Sequence, residues 1–202
     1  VFVHPNMHES SEKLGIAAPG FLVEFLCDTT RAAVNLILTG TLEKYPRIRW
    51  ILAHGGGFLP YVAWRVSLAN ALPQFQDKAP QGVMNYLQRF YYDTALSPSR
   101  YSMAALKELV APSQILFGSD FPFAPAPVTT LTCQTLEANP LWSAEQRYGI
   151  NRGHALRLFP QYREAQEQVV AAPVFRGESF GSRLKRRLTR PLGAYVERVR
   201  SR

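Results

Sequence analysis

Three short apolar runs in this chain each end in a side chain that can bind a metal or move a proton. Val1-Phe2-Val3 runs into His4-Pro5, Trp50-Ile51-Leu52-Ala53 into His54-Gly55-Gly56-Gly57, and Ile115-Leu116-Phe117-Gly118-Ser119 into Asp120-Phe121-Pro122. A continuous apolar run of this length reads as a strand buried on both faces, which is the habit of parallel sheets. Polar ligands at the C-terminal ends of successive parallel strands are how α/β barrels build active sites. The pattern therefore predicts an α/β fold and an enzyme.

The intervening segments alternate with these runs. Leu22, Phe25, Leu26, Thr29, Ala33, Leu36 and Ile37 fall at three- and four-residue spacing, which predicts a helix over Leu22–Thr39 with Gly40 as its stop. A short helix at Leu42–Tyr45, a strand at Ile48–Ala53 and an amphipathic helix at Leu59–Leu72 follow. A linker with Pro73 and Pro80 leads to helix Val83–Gln88 and strand Phe90–Thr94. Helix Ser99–Val110 has Ser99 as its N-cap, and strand Gln114–Phe117 precedes a Pro-rich loop over Phe121–Val128. Helices at Val128–Glu137, Ser143–Tyr148 and Asn151–Phe159 close the pattern. Four strands alternating with helices predict a parallel sheet of about four βα units, half of the eight-stranded barrel that typically takes about 250 residues.

With 202 residues, 47% of them hydrophobic, the chain is long enough to bury a core. No 18-residue apolar stretch or signal-peptide pattern occurs, and Cys27 and Cys133 lack CxxC spacing, so reduced thiols and a cytoplasmic location are expected. The net charge of +8 is concentrated at one end: Phe175–Arg202 carries nine Lys/Arg against Glu178 and Glu197, or +7, leaving +1 for the rest. The expected organisation is a barrel segment over 1–160 and a basic, partly helical or disordered tail over 161–202. Leu184, Leu188, Leu192 and Val196 give the tail a helical apolar spacing. Without an aromatic ladder or nucleic-acid motif it reads as a solvated appendage, with neither nucleic-acid binding nor membrane contact expected. Val1 is not an initiator methionine and already lies in a strand, so the chain is expected to be the C-terminal piece of a longer protein.

Taken in order, Val1-Phe2-Val3-His4-Pro5, Ala53-His54-Gly55-Gly56-Gly57, Phe90-Tyr91-Tyr92-Asp93-Thr94-Ala95 and Leu116-Phe117-Gly118-Ser119-Asp120-Phe121-Pro122-Phe123 resemble the second half of an amidohydrolase-related barrel. The resemblance is to the branch containing 2-amino-3-carboxymuconate-6-semialdehyde, γ-resorcylate and 6-methylsalicylate decarboxylases, and covers about Val1 to Phe159. It implies a C-terminal half of a TIM-type (β/α)8 barrel that carries out metal-dependent, non-oxidative decarboxylation of an aromatic or unsaturated carboxylic acid. His4 would be a ligand to a divalent metal, zinc foremost and manganese as the alternative. His54 would be the acid–base histidine, and Asp120 would ligate the metal or shuttle a proton beside it. Arg65, eleven residues past His54, would bind the substrate carboxylate in a neighbouring subunit's site, implying a homodimer.

Such barrels begin with a His-x-His pair that supplies two ligands. The four histidines here are His4, His8, His54 and His154, and none are two apart. With His4 and Asp120 as its ligands, a site falls short of the usual three protein ligands of catalytic zinc, so the chain by itself is expected to bind metal poorly and to be inactive. A half barrel with two unpaired strand edges is further expected to self-associate. Two other readings stand beside the decarboxylase: a hydrolase of the same superfamily attacking an ester, lactone or amide, and a non-catalytic remnant that has lost its metal site.

The bland reading of each residue is also specific. The three glycines after His54 suit a tight turn as well as close approach to a ligand. Asp120 could be a turn or N-cap aspartate, and Arg65 a solvated helix residue. Asp93 is expected to serve a structural hydrogen-bonding role, His8 to be incidental, and His154 to be packed or capping; Phe121, Phe123 and Trp64 could wall an aromatic pocket, but are expected to be core.

Overall fold

The strands form where short, continuous apolar runs can be buried, and they pair in chain order. The computed structural model describes residues 1–9, 11–14 and 16–164, with residues 181, 184 and 187. The predicted basic tail thus lies, from residue 165 on and apart from those three positions, outside the described residues. Strands β1 (Phe2–Val3), β2 (Ile51–Leu52), β3 (Tyr91–Asp93) and β4 (Ile115–Leu116) make one sheet in the order β1-β2-β3-β4. All three pairings are parallel, with Phe2 opposite Ile51, Leu52 opposite Tyr92 and Asp93 opposite Leu116. Each strand is shorter than its predicted run.

The helices are α1 (Ser11–Leu14), α2 (Glu24–Leu38), α3 (Thr41–Lys44), α4 (Leu59–Ser67), α5 (Val83–Leu87), α6 (Arg100–Leu109), α7 (Ala126–Glu137), α8 (Ala144–Tyr148) and α9 (His154–Leu158). Helix α1 lies in the segment between β1 and α2. Helix α4 ends at Ser67, five residues before the predicted end, and continues as a 3-10 turn over Leu68–Ala71. The helix predicted from Asn151 instead opens as a π turn over Gly149–Gly153.

Capping follows the sequence closely. The Ser99 hydroxyl accepts from the Ser102 N–H at the start of α6. Ser143 and Gln146 form a reciprocal capping box on α8, satisfying two N–H groups that a helix start leaves free. Gly40, at φ +77°, takes the left-handed conformation that ends α2 at small steric cost.

Successive strand residues point to opposite faces of the sheet. Leu52, Tyr92 and Ile115 join Ile37, Leu42, Leu59, Tyr86, Phe90, Met103 and Leu106 in the main core beneath the helices. Ile51, Tyr91 and Leu116 form a smaller cluster on the other face, packed against Ala155 and Leu158 of α9. The predicted apolar stripe of α2 is buried only in part: Thr29, Ala33 and Ile37 are enclosed, whereas Leu22 lies outside the helix and is 53% exposed. Phe121, Phe123 and Trp64, expected in the core, are exposed at 63%, 83% and 72%. The first two belong to the rim after β4, and Trp64 lies on the outer face of α4.

Candidate active site

At the C-terminal ends of β1, β2 and β4 the backbone delivers His4, His54 and Asp120 to one point. Their ligating atoms all lie within 4.8 Å of one another. His4 Nε2 is 3.2 Å from Asp120 Oδ1. His54 Nε2 is 3.8 Å from the same oxygen, beyond hydrogen-bond reach. The two imidazoles meet edge to face with centroids 5.2 Å apart. His4 Nδ1 stands 3.0 Å from the Pro5 carbonyl oxygen, which holds the ring so that Nε2 faces the cluster.

Backbone shape contributes as much as side-chain choice. His54 and Asp120 sit at φ +56° and +60°, in the left-handed region that residues with a Cβ seldom occupy. Departures of this kind cost of order 1–3 kcal/mol each and persist where the surroundings enforce them. At His54 the surroundings are a tight turn, closed by Gly56 N–H to the Ala53 carbonyl at 3.0 Å, and the side chain of Asp93, at the end of β3. Its Oδ1 accepts the His54 N–H at 2.8 Å and the Ala95 N–H at 3.1 Å. The expected structural role of Asp93 is therefore present, and it is exerted on a residue of the cluster. Beyond Asp93, the Thr94 hydroxyl donates to the Gly118 carbonyl at 3.3 Å and accepts the Gly118 N–H at 3.2 Å, fixing the chain two residues before Asp120. The glycines after His54 are needed for space: a Cβ on Gly56, itself at φ +76°, would stand 2.5 Å from the Tyr92 ring.

Electrostatics separate the groups. Burial lowers the His54 pKa, the nearby His4 lowers it further, and Asp120 opposes both. Burial is also the main cause of the rise in the Asp93 pKa to about 6, against the two N–H bonds that favour its charged form.

These features fit a divalent cation. Two imidazoles and a carboxylate are donors that zinc accepts and manganese tolerates. Both ring nitrogens of His54 are buried without a hydrogen-bond partner, an arrangement that buried polar atoms rarely keep unless something else occupies them. The neutral imidazole favoured by burial is the form that binds metal. The structure thus places His54 with His4 and Asp120 in one group of three side chains that could hold a metal, where sequence had put two ligands.

Two aromatic rings flank the cluster. Phe25, on α2, stacks near His54 with centroids 6.5 Å apart and meets His4 edge-on at 6.4 Å. Phe123 lies 6.3 Å from His4. Phe25 was hidden in sequence, because its helical spacing assigned it to the core. Arg65 is not among these residues: it lies exposed on α4, as do Tyr61 and Trp64. His8 is exposed and contributes to a cleft that also contains Asp28 and Arg31. His154 is buried, with Nδ1 2.9 Å from the Ile115 carbonyl oxygen, as a packed histidine should be.

A parallel sheet carrying this cluster at its C-terminal rim is half of a (β/α)8 barrel. The chain belongs to the amidohydrolase family, whose model, described as Amidohydrolase, matches residues 3–161. It is 34% identical over 162 residues to the 6-methylsalicylic acid decarboxylase of Penicillium expansum, covering 80% of this chain and 50% of that protein. Among solved structures, a 2,6-dihydroxybenzoate decarboxylase complexed with 2,6-dihydroxybenzoate superposes with a TM-score of 0.69 at 25% identity, over 79% of this chain and 50% of that one. A dihydroxybenzoic acid decarboxylase from Polaromonas sp. JS666, with bound manganese and the inhibitor 2-nitroresorcinol, gives a TM-score of 0.67 at 26% identity, over 81% and 50%. The chain spans about half the length of the curated decarboxylases it matches.

Proposed function

We propose that the protein to which this chain belongs is a metal-dependent, non-oxidative decarboxylase of an aromatic or unsaturated carboxylic acid. The observation that carries the reading is the convergence of His4, His54 and Asp120 at the strand ends, with both nitrogens of the buried His54 unpartnered. The named activities of its relatives point the same way. His4, His54 and Asp120 would hold the cation, which when bound supplies a positive charge that fixes the substrate carboxylate and an adjacent oxygen. Zinc suits the donor set, and manganese is the ion held by the Polaromonas relative.

Removal of carbon dioxide from such an acid requires a proton at the carbon that bears the carboxylate. The new C–H bond forms there, the C–C bond to the carboxylate breaks, and its electron pair returns to the ring as carbon dioxide leaves. Asp120 Oδ1, 3.2 Å from His4 Nε2 and 3.8 Å from His54 Nε2, is placed to pass that proton. Positioned proton transfer of this kind contributes about 10²–10⁴-fold. Phe25 and Phe123 wall the approach with apolar surface suited to an aromatic ring.

Arg65 belongs to the proposal in a different way. It shares the outer face of α4 with Tyr61 and Trp64, which are 90% and 72% exposed, a face suited to covering by a second copy. In a homodimer Arg65 would enter the neighbouring site and bind the substrate carboxylate. No described helix is long and apolar enough to cross a membrane, and the free thiols of Cys27 and Cys133 suit the reducing cytoplasm.

The test is a panel of salicylates, dihydroxybenzoates and lactones given to the protein with Zn²⁺ or Mn²⁺. Carbon dioxide release from one of the acids, lost in Asp120→Asn and slowed in Arg65→Ala chiefly through KM, is the expected result. Lactone opening without carbon dioxide release would establish the hydrolase instead.

A further inference from the structure

We infer that Asp93 is a positioning residue for the metal cluster: its buried carboxylate holds the His54 backbone in the left-handed conformation that aims the imidazole at His4 and Asp120. The inference rests on the cluster being a metal site, as proposed above, and assigns a role to a residue that touches neither the cation nor the substrate.

Three observations carry it. First, Asp93 Oδ1 takes the His54 N–H at 2.8 Å while also taking the Ala95 N–H at 3.1 Å, so one oxygen ties the end of β2 to the turn after β3. His54, at φ +56°, lies in a tight turn closed by Gly56 N–H to the Ala53 carbonyl and Gly57 N–H to the His54 carbonyl, both at 3.0 Å, and its backbone N–H goes to Asp93, which ties that turn to the neighbouring strand. Second, the side-chain nitrogens of His54 make no hydrogen bond, and its ring is held by contact with the His4 and Phe25 rings. Its aim must come from the backbone and from packing. Third, the other carboxylate oxygen is closely covered by Gly118: a Cβ there would lie 2.5 Å from Asp93 Oδ2 and 2.7 Å from its Cγ. Gly118 is two residues from Asp120, and Thr94 bonds it through both its N–H and its carbonyl. The end of β3 therefore grips β2 at His54 and β4 just before Asp120, and sets the separation of two donors that belong to different strands.

Groups that orient metal ligands from outside the coordination sphere typically change affinity by about 10–100-fold when removed. Asp93→Asn keeps an oxygen able to accept from both N–H groups. Asp93→Leu keeps the branched shape, at a larger volume, and removes the acceptor. Gly118→Ala leaves the carboxylate in the sequence but displaces it by steric contact.

The experiment measures Mn²⁺ affinity of the full 202-residue chain by electron paramagnetic resonance of the free ion, with far-UV circular dichroism to establish folding. Imidazole ring resonances of His54 are recorded on the metal-free protein, with buried His154 as internal control. The expected result is affinity within about threefold of wild type for Asp93→Asn, and about 10–100-fold weaker for Asp93→Leu and Gly118→Ala. The His54 signals should move in the latter two while those of His154 stay. Wild-type affinity in folded Asp93→Leu or in Gly118→Ala would overturn the inference. If Asp93→Leu does not fold, Gly118→Ala decides. Failure of the wild-type chain to bind Mn²⁺ would instead overturn the metal reading on which the inference stands.

Discussion

Replacing Asp93 by Asn should change how stability depends on pH more than it changes the fold. The Asp93 side chain is 4% exposed, and burial raises its pKa from 3.8 to about 6. A group whose folded pKa lies above its unfolded one stabilises the native state fully below the unfolded value, and that contribution is lost as pH rises through the folded value. Here the window runs from about pH 4 to about pH 6. The displacement of about two pH units, at about 1.4 kcal/mol per unit, is worth about 3 kcal/mol. In Asp93→Asn the two backbone N–H acceptances are retained and no proton is exchanged. The difference in unfolding free energy between variant and wild type should therefore move in favour of the variant by about 3 kcal/mol between pH 4 and pH 7. His54 and His154 titrate in the opposite sense: burial lowers both, so the stability that depends on their neutral forms is present above pH 6.5 and fades as pH falls below it. Both are common to the two proteins and cancel in the difference. The assay is urea unfolding in the presence of EDTA at half-unit steps of pH. A difference that stays constant to within 1 kcal/mol across that range would refute a buried, raised carboxyl at position 93.

Other perturbations test the remaining parts of the fold and site. Mn²⁺ or Zn²⁺ at a hundred times its Kd should raise stability by about 2.7 kcal/mol, and EDTA or Asp120→Ala should abolish the gain in a thermal melt. Gly56→Ala combines a left-handed φ with a Cβ 2.5 Å from the Tyr92 ring, so a loss of about 2–4 kcal/mol is expected by chemical denaturation. Leu52→Ala, at a fully buried site on an inner strand, should cost about 2–5 kcal/mol by the same measurement. Ser99→Ala should cost about 1 kcal/mol through loss of the α6 cap, and Ser99→Asp should restore it.

Much of this molecule was written in local sequence. The apolar runs specified four strands and their order, Ser99 and Gly40 marked helix ends, and the residues closing the three opening motifs, His4, His54 and Asp120, are those that meet at the rim. His154 could be recognised as a packed histidine because it lies on an apolar helical face. Each of these signals spans only a few residues, within the reach of a hydrogen bond, a pleat or a helical turn. What sequence did not reveal depends on contacts between distant segments. His4 and Asp120 are 116 positions apart, and the register of four parallel strands sets their 3.2 Å approach. The placing of His54 beside them depends on a left-handed backbone tied to a carboxylate 39 residues away. The same packing turned Phe25 from an apparent core residue into a wall of the site and left Phe123 and Trp64 exposed. Periodicity reports which face of an element is apolar. Which neighbour that face meets is decided only when the strands pair and their ends are brought into one small volume.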